Sequence, residues 1–283
     1  MPNFYFTINI PFDPVLIKLG NFIFTWHGIF MSLGMLLAVF LCLRIKEKFH
    51  YNEDMVYNTA LFAIPSGIIG ARMLFVFEYW SFFSANPSKI IALQNGGISV
   101  WGGIIGGLLG GFLFALFRKY PLLKGLDLAA FGLLLGQAIG RIGDLINGEH
   151  LGSSTDMAWG VIYTDEDSPA FLHSLAIGSH HPATTYELIG DLVILLLLFF
   201  MLFKLKKDLF NGIYFLSYLS LYSIMRFFVT YYRVDSNFFL ETELRVPQLV
   251  SVMTLIILWT SVSFLYLFRN NLKIKSLLKK LGT

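Results

Sequence analysis

Charge is what this sequence has least of. Asp, Glu, Lys and Arg make up 14% of its 283 residues, against roughly a quarter in a soluble domain, so an ordinary water-facing globule is excluded. Cysteine is scarcer still. Cys42 stands alone, which rules out an internal disulfide and leaves a thiolate metal cluster without ligands. Histidines are few, and the adjacent His180 and His181 are too little to build a metal site, so no metal is expected. No Gly-x-Ser-x-Gly occurs, which argues against a serine-type intramembrane protease. The net charge of +3 makes no case for nucleic acid. Residues 1–20 lack a basic segment followed by an apolar core and a small-residue cleavage site, so no cleavable signal peptide is expected. Neither an internal repeat nor a low-complexity linker appears, and residues 1–283 read as one membrane domain.

What the chain has is apolar length. Hydrophobic residues make up 56% of it, with 29 Phe and 13 Tyr. A spanning helix needs about 20 mostly apolar residues, and seven stretches qualify: 22–43, 56–77, 98–117, 126–143, 187–203, 211–232 and 247–268. The fourth is short and glycine-rich. The expected fold class is therefore an all-α polytopic membrane protein with seven transmembrane helices. Most Lys and Arg residues follow the odd-numbered spans: Arg44, Lys46 and Lys48; Arg118, Lys119 and Lys124; Lys204, Lys206 and Lys207; Arg269, Lys273, Lys275, Lys279 and Lys280. Alternating spans put all of these on one side, which the positive-inside rule makes cytoplasmic. The N-terminus then faces out and the C-terminus in. The first twenty residues, with Pro2, Pro11, Pro14 and several aromatics, read as an interfacial segment on the outer face.

Three arginines fall within or at the edge of spans: Arg72, Arg141 and Arg226. Ionisable residues there are costly and face an interior or a cavity. The alternation puts all three in the outer-leaflet half. His27 and Trp101 enter their spans at that depth, and the fifth span starts there with His181, Tyr186, Glu187 and Asp191. The most informative stretch is 140–152, Gly-Arg-Ile-Gly-Asp-Leu-Ile-Asn-Gly-Glu-His-Leu-Gly. Glycines admit backbone N–H groups to an anion, and an arginine fork matches phosphate bidentately. The pattern predicts an anion-favouring cavity open toward the outer leaflet. The plainer alternative pairs the arginines with Glu187, Asp191, Asp144 or Glu149 as interhelical glue. Glycines four apart in the third and fourth spans serve close helix packing. Residues 144–185 form a long polar extracytoplasmic loop, a lid or a peptide-docking surface, whose Asp165, Glu166 and Asp167 are a solvated run. A transporter is the weaker alternative, because the polar groups gather at one depth and line no path across.

Several motifs then resemble, in order and nearly end to end, the prolipoprotein diacylglyceryl transferase family. They are Trp26-His27-Gly28, Gly70-Ala71-Arg72, Gly96 to Gly103, the signature at 140–152, His181 to Glu187, Tyr222 to Phe227, and Pro247-Gln248. The resemblance implies an enzyme of the bacterial cytoplasmic membrane without a cofactor. Its partners would be phosphatidylglycerol, other membrane lipids and the lipobox peptide of a preprolipoprotein. The diacylglyceryl group moves to the lipobox cysteine thiol, a thioether forms and glycerol 1-phosphate leaves. It implies that Arg141 and Arg226 bind phosphate, that Asn147 and Glu149 orient the head group or the loop, and that Tyr222 is functional. Arg72 matches a second-span arginine of either binding or structural use. The chain departs from the family pattern at four positions. Trp101 stands for a histidine, His27 for a tyrosine, Asp144 for an asparagine and Thr230 for a glutamate. An indole cannot act as a base. Either the base has moved to His27, with Asp144 orienting it or serving instead, or the chain is a diverged member that binds lipid or lipoprotein without transfer.

Overall fold

The computed structural model describes residues 7–20, 22–92, 97, 99–204, 210–240 and 242–280, with backbone alone at residues 100, 265, 266 and 268–280. Lys206 and Lys207 of the basic clusters, and Gly96 and Ile98 of the third-span motif, lie outside the described residues, as do the side chains of the basic tail.

A short strand β1 (Ile8–Ile10) precedes a hairpin of β2 (Val15–Leu19) and β3 (Phe22–Thr25). Helix α1 (Trp26–Ile45) follows directly, then α2 (Glu53–Glu78), the short α3 (Trp80–Ala85), α4 (Val100–Phe117) and α5 (Leu122–Asn147). The loop after α5 carries β4 (Val161–Tyr163) and α6 (Phe171–Ile177), and α7 (Ala183–Lys204), α8 (Ile213–Val229) and α9 (Val246–Lys280) complete the chain. Among the described residues, six helical segments are long and apolar enough to cross a membrane, and Trp101–Phe117 of α4 is a shorter apolar helix. The protein is a largely helical, multi-pass membrane protein.

The strands depart from the all-α expectation. The apolar run places the start of the first span at residue 22, but β-branched, aromatic and aliphatic residues of 15–19 and 22–25 pair as an antiparallel hairpin, Leu19 opposite Phe22 and Ile17 opposite Phe24, and the helix starts only where Thr25 caps it through the Gly28 N–H at 3.1 Å. Strand β1 pairs in parallel with β4, Ile8 opposite Val161, so the polar segment after α5 is organised structure rather than open loop.

Helices α1 and α5, and likewise α2 and α4, run antiparallel, and their contacts show how the ends align. Helices α1 and α5 approach until a Cβ on Gly34 would stand 2.8 Å from the Gly136 carbonyl oxygen, which only a residue without a side chain permits. At one end of this pair the Cys42 thiol donates to Leu128 O at 3.6 Å; at the other, His27 meets Asp144. Helices α2 and α4 pack through their glycines in the same way, Gly70 against Gly102 and Gly106. Near the Cys42 end, an apolar core of Phe49, Tyr51, Phe131, Leu134 and Leu198 joins α5, α7 and α8. Helix α8 starts at Gly212 with no side-chain cap of its own. Asp127 of α5 supplies one instead, its carboxylate accepting from Gly212 N at 2.6 Å and Phe215 N at 3.0 Å. The polar groups are left for the opposite end.

Candidate functional site

The signature stretch is helical further than its glycines suggest. Helix α5 runs to Asn147 and stops at Gly148, whose φ of 74° forms a left-handed cap, with its N–H returned to Asp144 O at 3.0 Å. Arg141 and Asp144, three residues apart, therefore share one face. Helix α7 arrives from the other direction. Its Ala183, Glu187 and Asp191, spaced one turn apart, are buried. Helix α8 brings Arg226 from its last turn, and a following 3-10 turn (Thr230–Tyr232) carries the chain to Arg233, where a bridge to Gly152 holds it.

Glu187 lies at the centre, with no exposed surface. Arg141 and Arg226 each pair with it, Arg141 as an ion pair on one carboxylate oxygen and Arg226 as a hydrogen bond on the other. Arg233 donates to Glu187 Oε1 from Nη1 at 2.9 Å. Three guanidinium groups thus meet one carboxylate. The remaining donors reach further. Arg141 Nη1 bonds Asp144 Oδ2 at 2.8 Å. Arg233 bonds Asp235 through Nε at 2.9 Å and Nη2 at 2.5 Å, and Nη2 lies 2.8 Å from His150 Nδ1. His150 Nδ1 is also 3.1 Å from Asp235 Oδ2, and its Nε2 is 3.6 Å from Asp144 Oδ2. The contacts close a ring: Asp144, Arg141, Glu187, Arg233, His150 and back to Asp144. Burial alone would raise the Asp235 carboxyl, but hydrogen bonds with His150 and Arg233 outweigh it and hold the group well below the usual carboxylate range.

Two side chains hang from this ring. Arg226 hangs from Glu187. His27 hangs from Asp144, its Nδ1 2.7 Å from Asp144 Oδ1 and 3.5 Å from Glu149 Oε2. In the neutral imidazole, Asp144 as acceptor puts the proton on His27 Nδ1 and leaves the lone pair on Nε2. Asn147 ties the two sides together. Its Oδ1 accepts from the His27 backbone N–H at 3.3 Å and its Nδ2 donates to Glu149 Oε1 at 2.8 Å. His27, Asp144 and Glu149 offer ligand atoms within 4.8 Å of one another, but Asp144 Oδ1 is taken by His27 Nδ1 and Oδ2 by Arg141, and we assign no metal there. Asp191 sits one turn behind Glu187, fully buried, with neither oxygen hydrogen-bonded among the described residues.

Of the residues picked out in the sequence, Arg141, Arg226, His27, Asp144, Asn147 and Glu149 come together, and the Tyr222 phenol meets Arg141. Arg72 is placed differently. Its guanidinium donates to the carbonyls of Lys89, Ile90 and Gly97 at 2.6, 2.8 and 2.6 Å and to Ala92 at 3.3 Å, so its hydrogen bonds organise the loop between α3 and α4. Trp101 is half exposed on α4. Thr230 is buried, its hydroxyl spent on Arg226 O at 2.6 Å. Arg233, Asp235 and His150 join the cluster unanticipated. Arg233 follows Arg226 by seven residues, two helical turns, and that spacing was the available signal.

Comparison with known proteins gives the same family from outside. A family profile described as prolipoprotein diacylglyceryl transferase matches residues 14–264. A protein of Clostridioides difficile named phosphatidylglycerol–prolipoprotein diacylglyceryl transferase is 34% identical over 244 residues, covering 86% of this chain and 92% of its own length. Proteins of the same name from Bacillus velezensis and Dehalococcoides mccartyi are 34% identical (87% of this chain, 90% of theirs) and 37% identical (84% and 88%).

Proposed function

The chain belongs to the prolipoprotein diacylglyceryl transferase family, and we propose that it transfers the diacylglyceryl group of phosphatidylglycerol to the lipobox cysteine of preprolipoproteins. We read residues 1–283 as one domain in a bacterial cytoplasmic membrane. In this reading α4 is a seventh span, at about 27 Å just short of the hydrocarbon thickness, and the N-terminus lies outside. The arginine cluster then faces the outer leaflet, where the lipid enters and the lipobox is delivered.

The observation that carries the proposal is the convergence of Arg141, Arg226 and Arg233 on the single carboxylate of Glu187. Arg141 and Arg233 are also paired with Asp144 and Asp235, whereas Arg226 has Glu187 as its one carboxylate partner among the described residues, and the guanidinium donors gathered there suit a phosphodiester. Arg141 and Arg226 hold the phosphate and the charge that grows on it as the ester bond breaks. Tyr222 supports Arg141, and Asn147 and Glu149 set the position of the loop and of His27. Arg72 contributes by shaping the α3–α4 loop, and its hydrogen bonds lend no support to phosphate contact. His27, held by Asp144, takes the thiol proton at Nε2. The sulfur attacks the glyceryl carbon bearing the phosphate ester. That C–O bond breaks with its electron pair going to the phosphate oxygen, and glycerol 1-phosphate departs. A thiol near pKa 8.5 needs such a base, and Trp101 cannot supply one.

The test is transfer in a defined membrane. Protein, phosphatidylglycerol and a lipobox peptide are assayed for glycerol 1-phosphate and for peptide mass gain. Arg141→Ala is expected to abolish product and His27→Phe to cut kcat by about 100-fold or more. Full activity in His27→Phe removes it from the mechanism. Bound phosphatidylglycerol without any product in the parent protein points instead to a diverged binding member.

A further inference from the structure

The β2–β3 hairpin has an unusual surface. A hairpin packed on a core alternates buried and exposed side chains. Here Leu16, Ile17, Leu19, Phe22, Ile23 and Phe24 are all exposed, Leu19 and Phe22 by more than 60%. Both faces are apolar, and Lys18 is the single charge on the two strands. A two-stranded hairpin of this kind is marginal in water. In this chain it is anchored firmly at its base. The Trp26 N–H donates to Pro14 O at 3.2 Å, and Val15 N to Asp13 Oδ1 at 2.7 Å. Phe12 packs edge-on against Trp26.

Two features say what covers it. First, the hairpin is continuous with a surface that already faces lipid: β3 runs into α1 without a break, and the apolar side chains of Ile29, Leu33, Leu36 and Phe40 along that spanning helix are exposed in the same way. Second, its composition is that of an interfacial membrane segment, aromatic and aliphatic with one lysine able to extend its amine to the head groups. The base of the hairpin also meets the site. His27, second residue of α1, contacts Asp144 and Asn147, so hairpin and site are joined through one helical turn.

We propose that the β2–β3 hairpin is inserted into the lipid at the end of the bundle where the arginine cluster lies, as a wedge of about 16 Å reach that loosens acyl packing and admits the phospholipid to the site. The insertion stands on geometry alone. The admission step rests on the proposed function.

Depth measurement tests the first part. In a Cys42→Ala background, Ile17→Cys, Leu19→Cys, Phe22→Cys and Phe24→Cys are each labelled with a fluorophore in phosphatidylglycerol-containing vesicles. Quenching by spin-labelled lipid is compared with quenching by aqueous iodide. Leu36→Cys, on the exposed face of α1, serves as the lipid reference, and Leu172→Cys, on exposed α6, as the water reference. Hairpin probes that follow Leu36→Cys support insertion. Probes that follow Leu172→Cys, or that neither quencher reaches, overturn it, whether or not the protein transfers anything. The second part is read from the rate. Leu19→Ser with Phe22→Ser is expected to raise the phosphatidylglycerol fraction needed for half-maximal rate about fivefold with kcat unchanged. An unchanged fraction overturns the admission role. Loss of product in the parent protein overturns that role through the reading it rests on and leaves the depth result intact.

Discussion

Replacing Glu187 by Gln removes one charge and leaves the shape. The parent carboxylate is fully buried and paired with Arg141, Arg226 and Arg233. Taking one partner from a buried ion pair costs about 3–5 kcal/mol, because the opposite charge is left without compensation. The amide oxygen still accepts a hydrogen bond, so the lower end, about 3 kcal/mol, is expected, and at roughly 2–4 °C per kcal/mol this lowers the melting temperature by about 6–12 °C. Cys42 provides the assay. It is the only thiol in the chain and lies between α1 and α5, so a thiol-reactive dye reports the separation of those helices during heating. The same reasoning predicts a second, opposite effect. A bound phosphodiester supplies the missing negative charge, so phosphatidylglycerol is expected to stabilise Glu187→Gln more than it stabilises the parent, and a zwitterionic lipid is not. A variant that melts within about 2 °C of the parent, with no added response to the anionic lipid, would refute the claim that the Glu187 charge holds the three arginines together.

Asp127→Ala removes the side-chain cap of α8 and leaves Gly212 N–H and Phe215 N–H without the acceptor they have among the described residues. A loss of about 1–3 kcal/mol is expected, read in the same melting assay, with phosphatidylglycerol affinity unchanged because the cap is at the far end of the bundle. The segment after α5 should loosen in acid. Burial, with His173 and His181 nearby, holds His180 below its ordinary value, and its Nε2 has no hydrogen-bond partner among the described residues. The unfolded segment therefore takes up a proton near pH 6.5 that the folded one resists. Stability is complete above that pH and falls as the pH drops below it, by at most about 1.4 kcal/mol per pH unit for one proton. Hydrogen exchange of residues 148–182 at pH 5.5 and 7.5 checks this, and equal protection at both values rejects it.

The long helices were legible because their signal is length and composition, and α2, α4 and α7 lie within a few residues of the apolar runs. The gathering of polar groups at one depth was legible too, since alternation alone brings the end of α5, the start of α7 and the end of α8 together. Pairing was not. Nothing in Arg72's sequence neighbourhood says that its donors go to carbonyls of residues 89–97, and the β1–β4 pair joins segments about 150 residues apart. The fourth span ends at residue 143 by its apolar run, whereas α5 continues to Asn147, and Gly143 is where α1 crosses: a Cβ there would stand 2.8 Å from the His27 Cα. That crossing changes how the departures from the family pattern weigh. In the sequence, His27 and Asp144 are two separate oddities 117 residues apart. In the fold they are one contact of 2.7 Å. A histidine and a carboxylate thus meet beside the cluster that holds the arginines, and they are the pair the proposed mechanism uses as its base. Under the proposed mechanism this one contact between α1 and α5 supplies the base that an indole at position 101 cannot, so His27→Phe and Asp144→Asn are expected to lower kcat together and by less than the product of their separate effects.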